Sequence, residues 1–175
     1  MTSPFQQLLE IEQRCRQHAR ALPKKAALGD SWRGVGFLLG EQQFVASMSE
    51  VTEILQLPKV TRIPGVKQWV LGVANVRGRL VSIMNLAGLL SQPIRNAPRS
   101  QRVLVVEKDD YAVGFLVDAV LGMQSFPVTS ELELNALDDD VKDYVATGFE
   151  RDDKVWPVFR FADLLESQGF LNIAV

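Results

Sequence analysis

Two hydrophobic periods divide the chain. Over residues 3–22, Leu8, Ile11, Cys15, His18 and Leu22 recur at steps of three and four, the spacing of one helix face. Ser3 suits the N-cap, Pro4 the first helical position, and Gln6 completes a capping box; Pro23 ends the run. The spacing predicts an amphipathic helix whose apolar face docks on its own chain rather than on a partner. From Trp32 onward the period shortens to that of strands. Runs are predicted at Gly34–Leu39, Gln43–Met48, Val51–Leu57, Trp69–Val76, Arg79–Met84, Arg102–Glu107, Tyr111–Val117, Val120–Val128, Ala146–Arg151 and Lys154–Phe159. Short helices are expected at Leu86–Leu90 and Phe161–Ser167. Many short strands separated by Gly, Asp and Pro turns indicate a mainly β chain built as a sandwich or small barrels.

The strand region repeats itself. Leu80–Leu90 and Val155–Leu165 align without gaps at an offset of 75, each an apolar run entering a short helix. Phe44-Val45-Ala46 and Tyr111-Ala112-Val113 match at an offset of 67. The eight-residue difference places an insertion in the second half, within the acidic stretch Thr129–Lys142. A repeat of this kind implies two similar β-lobes.

Composition adds exclusions. With 175 residues, 47% hydrophobic and 23% charged, the chain can bury a core without staples. A single cysteine rules out a disulfide scaffold, and a single histidine leaves too few ligands for a zinc site. The longest apolar stretch, Ala112–Val117, falls far short of the roughly 20 residues of a membrane helix. Glu10 and Glu12 break any signal-peptide pattern, so a cytoplasmic location is expected. Charge is uneven: Lys59, Arg62, Lys67, Arg77, Arg79, Arg95, Arg99 and Arg102 form a run without an acid, whereas Glu131–Asp153 is strongly acidic.

Candidate chemistry is sparse. Gly34-Val35-Gly36 lies inside a strand and lacks the strand-to-helix setting of a nucleotide loop. Cys15 and His18 have no third group to make a nucleophile–base set. Asp138-Asp139-Asp140 with Asp143 lacks the glycine and closing glutamate of a calcium loop. The basic run could serve a nucleic-acid-binding barrel, but Trp69 is its one aromatic platform. Asn75-Val76-Arg77-Gly78 is more informative. It holds an arginine on a tight hairpin beside apolar strand ends, and arginine is enriched among interface hot spots.

These residues resemble the CheW-like family of chemotaxis coupling proteins. The resemblance is carried by Phe44-Val45-Ala46, Val51-Thr52-Glu53-Ile54, Ile63-Pro64-Gly65, Trp69 through Gly78, Val113 through Asp118 and Val158 through Leu165. Within the family, the features are most similar to the members that serve pilus-based twitching motility. The resemblance implies a non-enzymatic adaptor without cofactor or metal. Its fold would be two SH3-like five-stranded barrels, with residues 1–31 as helix and linker. The lobes would lie near 32–92 and 100–170, with terminal elements free to exchange. The implied partners are the regulatory domain of a CheA-like hybrid histidine kinase and the cytoplasmic tip of a methyl-accepting receptor, with no nucleic acid and no membrane insertion; the protein would be recruited to receptor arrays. It assigns essential roles to Glu53 and Arg77, with Val51 and Gly72 at further matching positions. Ile54, Asn75 and Gly78 complete the expected partner-binding set. Ser82 and Asn85 depart from the family's usual proline and aspartate, but Asn85 can still cap the helix that follows.

Overall fold

The computed structural model describes residues 4–18, 31–92, 99–108, 111–134 and 141–174. Helix α1 spans Pro4–His18. Strands follow as β1 (Ser31–Leu39), β2 (Gln42–Ser47), β3 (Val51–Leu55), β4 (Val70–Val76) and β5 (Arg79–Asn85), closed by helix α2 (Leu86–Leu89). The second series is β6 (Arg102–Lys108), β7 (Tyr111–Val117), β8 (Ala119–Pro127), β9 (Glu131–Glu133), β10 (Val145–Arg151) and β11 (Lys154–Phe159). Helices α3 (Phe161–Glu166) and α4 (Gln168–Leu171) end it. The expected strands and both short helices are present; β9 and α4 are additions. The C-terminal part of the predicted first helix and the Asp138-Asp139-Asp140 cluster lie outside the described residues.

The strands form two sheets of like order, β3-β6-β7-β5-β4 and β8-β1-β2-β11-β10-β9. Each half of the chain gives strands to both. The leading hairpin of the first half, β1–β2, joins β8 to β11 of the second half. The leading hairpin of the second half, β6–β7, joins β3 to β5 of the first. The sheets therefore do not divide between residues 92 and 100; they are built by exchange of hairpins. Parallel pairing seals each exchange, Ile83 beside Gly114 in one sheet and Val158 beside Val45 in the other. The repeat at 75 superposes Ile83 on Val158, while their partners correspond at 69 rather than 67. That two-residue difference keeps side chains on the same face.

Apolar side chains fill three spaces. Ala74, Val81, Ile83, Val103 and Val105 fill the five-stranded barrel. Val45, Phe126, Phe149, Trp156 and Val158 fill the other, with Trp32 packed against them. The third space lies between the sheets. There Phe37, Phe44 and Phe159 of one lobe meet Phe115 of the other through Phe161 of α3. Asn85 caps α2 as anticipated, its side chain accepting from the Gly88 N–H at 3.2 Å.

The chain crosses between sheets twice, and each crossing carries an anchored carboxylate. At the β7–β8 corner the buried Asp118 accepts from the Gly40 N–H, 2.7 Å away in the β1–β2 turn. At the β2–β3 crossing Glu50 accepts from the Ala162 N–H at the start of α3, at 2.9 Å. Burial pushes the Glu50 carboxyl above its usual 4.5, helped by nearby Asp163 and opposed by the N–H groups of Ala162 and Phe161 and by Arg160.

Phe5, Leu8 and Ile11 of α1 are 69%, 65% and 57% exposed, so this part of the helix is not docked on the described body; the side chains of Cys15, His18 and Leu22, the rest of the expected face, lie outside the described residues. Apolar spacing sets which residues share a face; it does not supply a surface to bury them against.

Backbone packing sets the edge of β4. Thr61 forms a two-way bridge with Val73, its N–H donating at 2.8 Å and its carbonyl accepting at 2.9 Å. This draws the segment after β3 over Gly72, whose φ is +133° and whose missing Cβ would collide with the Thr61 carbonyl. In the second lobe the equivalent covering segment is drawn out into β9, which pairs along the same edge of β10. β9 lies within Thr129–Lys142, the stretch expected to hold the inserted residues.

Gly72→Ala is expected to destabilise the fold by about 2 kcal/mol or more, because the new methyl must lift Thr61 and abandon both hydrogen bonds; urea denaturation reads this directly. For Glu50, a folded-state pKa above the unfolded one means that the folded form binds the extra proton. Its contribution to stability is present below 4.5 and is lost as pH rises through the raised value. Glu50→Gln keeps an oxygen for Ala162 and removes that loss. The difference in melting temperature between variant and wild type should therefore shift in favour of the variant between pH 4 and pH 7, and a flat difference refutes it.

Candidate functional site

The expected partner-binding residues divide into two groups. Glu53, Asn75, Arg77 and Gly78 come together at one end of the five-stranded barrel. Val51 packs against the central core, and Gly72 is buried under Thr61. Ile54, next to Glu53 on β3, lies on the opposite, exposed face.

The β4–β5 hairpin creates the end group. Val76 pairs with Arg79, leaving Arg77-Gly78 as a two-residue turn in which both φ values are positive, +51° and +84°. This is the type I′ pattern, whose twist matches the flanking strands. Gly78 takes such a conformation freely, and open space lies where its Cβ would be. Arg77 does not take it freely; a branched-chain-free but bulky residue there is a strained choice. Asn75 holds the turn, its side-chain oxygen accepting from the Gly78 N–H at 2.9 Å.

The strained turn aims Arg77 at β3. Its Nη2 lies 2.9 Å from Glu53 Oε1, with the arginine side chain 80% exposed and the glutamate 24%. The two residues expected to be essential therefore pair with each other. Glu53 owes its position to a β-bulge between Val51 and Glu53 in the β3–β6 ladder, beside which Thr52 Oγ1 donates to the Val105 carbonyl at 3.2 Å. A second pair lies alongside, Arg79 Nη1 to Glu107 Oε1 at 2.6 Å. Sequence reasoning did not select Arg79 or Glu107. Two bases flanking a hairpin glycine were visible, but the facing acids emerge only once β3 and β6 are in register.

These four charged side chains rim a shallow cleft of about 240 Å³ floored by Val76 and Val105. Exposed ion pairs contribute about 0–1 kcal/mol, so the stability of the fold does not require them. Each guanidinium faces a carboxylate and keeps donors for a second acceptor. An arginine–carboxylate rim around an apolar floor is suited to binding a protein surface. It also ties down Arg77 and Arg79, two bases of the run that could otherwise have served nucleic acid. Among the described residues no three His, Cys, Asp or Glu side chains converge to hold a metal, and no helix is long and apolar enough to cross a membrane.

Comparison with known proteins agrees with the geometry. The CheW-like domain model matches residues 33–169. Protein PilI of Pseudomonas aeruginosa is 46% identical over 174 residues, covering 99% of this chain and 97% of that protein. Chemotaxis protein CheW of Thermotoga maritima is 29% identical over 105 residues, 60% of this chain and 68% of that one. Among solved structures, the scaffolding protein TtCheW from Thermoanaerobacter tengcongensis superposes with a TM-score of 0.71 at 22% identity, covering 80% of this chain and 96% of that one. A mainly β chain of two exchanged lobes, matched by the family model over most of its length, belongs to the CheW-like domain family.

Proposed function

We propose that the protein is a non-enzymatic adaptor that couples the cytoplasmic tip of a methyl-accepting receptor to the regulatory domain of a CheA-type hybrid histidine kinase, in a system controlling type IV pilus twitching motility. The observation that carries this reading is the Arg77–Glu53 pair, set by a strained turn at the rim of a cleft with four charged and four apolar lining residues. Those two positions are where the family resemblance expects essential residues. The near full-length similarity to PilI supports the twitching system over other chemotaxis-like systems.

Mechanistically the adaptor has no chemistry of its own. It changes the kinase by binding its active and inactive states with different affinity. The cleft floor supplies apolar contact; Arg77 and Arg79 supply orientation.

Calorimetry against the kinase's regulatory domain tests the reading. Wild type is expected to bind, and Arg77→Ala to bind at least about tenfold more weakly, equivalent to about 1.4 kcal/mol, with its melting temperature nearly unchanged. Absence of wild-type binding to both this domain and the receptor tip would overturn the adaptor assignment. The exchanged variant Glu53→Arg with Arg77→Glu separates two roles. It restores the internal ion pair but reverses the charge offered outward, so affinity should stay low. Recovery to wild-type affinity would reduce the pair to a structural tie.

A further inference from the structure

We infer that an open, basic cavity where β3 ends and β6 begins is a binding site for a small oligoanion, a ligand carrying more than one phosphate or carboxylate group. It is separate from the cleft described above, whose Glu107 lies at the far end of β6. The cavity has a volume of about 340 Å³ and is lined by Gln56, Leu57, Arg99, Gln101 and Arg102. That size falls at the small end of the range for small-ligand sites, about 300–1,000 Å³. Such sites are mostly apolar, whereas here every lining residue but Leu57 is polar or charged. Recognition at this site therefore rests on charge and hydrogen bonding.

Two segments of the chain build it. Leu55 pairs with Val103, so Gln56 and Leu57 leave β3 beside Arg102 as it enters β6. Arg102 is half-buried, and its guanidinium turns back onto the chain that precedes it. Nη1 donates to the Arg99 carbonyl at 2.9 Å and to the Gln101 carbonyl at 2.7 Å. These bonds use one nitrogen of the fork and leave the donors of Nε and Nη2 for another acceptor. They also tie Arg102 to the backbone of Arg99, so that two guanidinium groups line one cavity.

The electrostatics favour an anion there. Residues 54–106 contain no Asp or Glu, and none of the described residues lining the cavity is acidic. Asp118 follows Val117, the ladder partner of Arg102, but it is buried and accepts from the Gly40 N–H of the other sheet. Two like charges on one cavity repel, and salt screens a half-buried charge less than an exposed one. An oxyanion between them replaces that repulsion with two attractive pairs. The planar fork of arginine matches phosphate and carboxylate alike, and the Gln56 and Gln101 amides offer donors for further oxygens. Two guanidinium groups and two amides around one space suit a ligand with several oxygens rather than a single point charge.

Calorimetry on the full chain, in dilute buffer free of phosphate, tests this with sodium tripolyphosphate and citrate as probes. At least one is expected to bind saturably at one site, and the tighter of the two identifies phosphate or carboxylate as the preferred group. Arg99→Gln and Arg102→Gln, each checked for folding by circular dichroism, should each weaken that binding about tenfold or more. Lys154→Gln removes the same charge from an exposed position on the other sheet and should bind like wild type. Absence of saturable binding of both probes up to about 10 mM overturns the inference. So does unchanged affinity in the folded Arg99→Gln variant, or an equal loss in Lys154→Gln, which would reduce the binding to net charge.

Discussion

The parallel pairing of strands from opposite halves of the chain is the constraint on which the rest depends. Ile83 beside Gly114 and Val158 beside Val45 close sheets that neither half could close alone. Because the hairpins are exchanged, the aromatic side chains they carry are drawn into one shared space. Phe161 of α3 lies 4.9 Å from both Phe115 and Phe159, so a single side chain keys the two lobes together. The relative position of the lobes is thus set by close packing rather than by a linker, and close-packed interiors deform little. The cleft inherits that rigidity.

Both crossings between the sheets use the same device with different residues. Asp118 accepts from the β1–β2 turn at Gly40, and Glu50 from the start of α3 at Ala162. Each bond ties a crossing where regular ladder bonds cannot reach. The two equivalent hairpins are also alike in backbone. Arg77-Gly78 and Asp152-Asp153 both hold paired positive φ values, though one tip is basic and the other acidic. The chain has kept the turn geometry of its repeat and changed what the turn presents.

Much of this was legible in the residues. Period-two runs located most of the strands, the offset of 75 found the repeated strand and helix, and Asn85 announced its cap. The Asn75 to Gly78 segment marked the site, because a turn that ends in glycine restricts what its neighbours can do. What stayed hidden depends on register and on distance in sequence. The pairing of Arg79 with Glu107 needs β6 brought beside β3 and facing β5. The burial of Gly72 needs Thr61 folded back over it, a contact between segments with no shared pattern. β9 is three residues long, too short for alternation to declare it. The helical face of α1 was legible as a face, but its lack of a covering surface was not, since periodicity specifies orientation and not a neighbour.

Hairpin exchange also sets a timetable. Every strand of the five-stranded sheet lies between Val51 and Val117, so that sheet is available once this stretch has left the ribosome. β1 and β2 are made first, yet their parallel partner β11 is among the last strands to emerge. At translation rates of about 5–20 residues per second, Phe37 and Phe44 wait on the order of ten seconds for Phe159. During that interval a bare aromatic hairpin is the part of the nascent chain most in need of shelter, so chaperone demand should fall on the oldest strands rather than the newest.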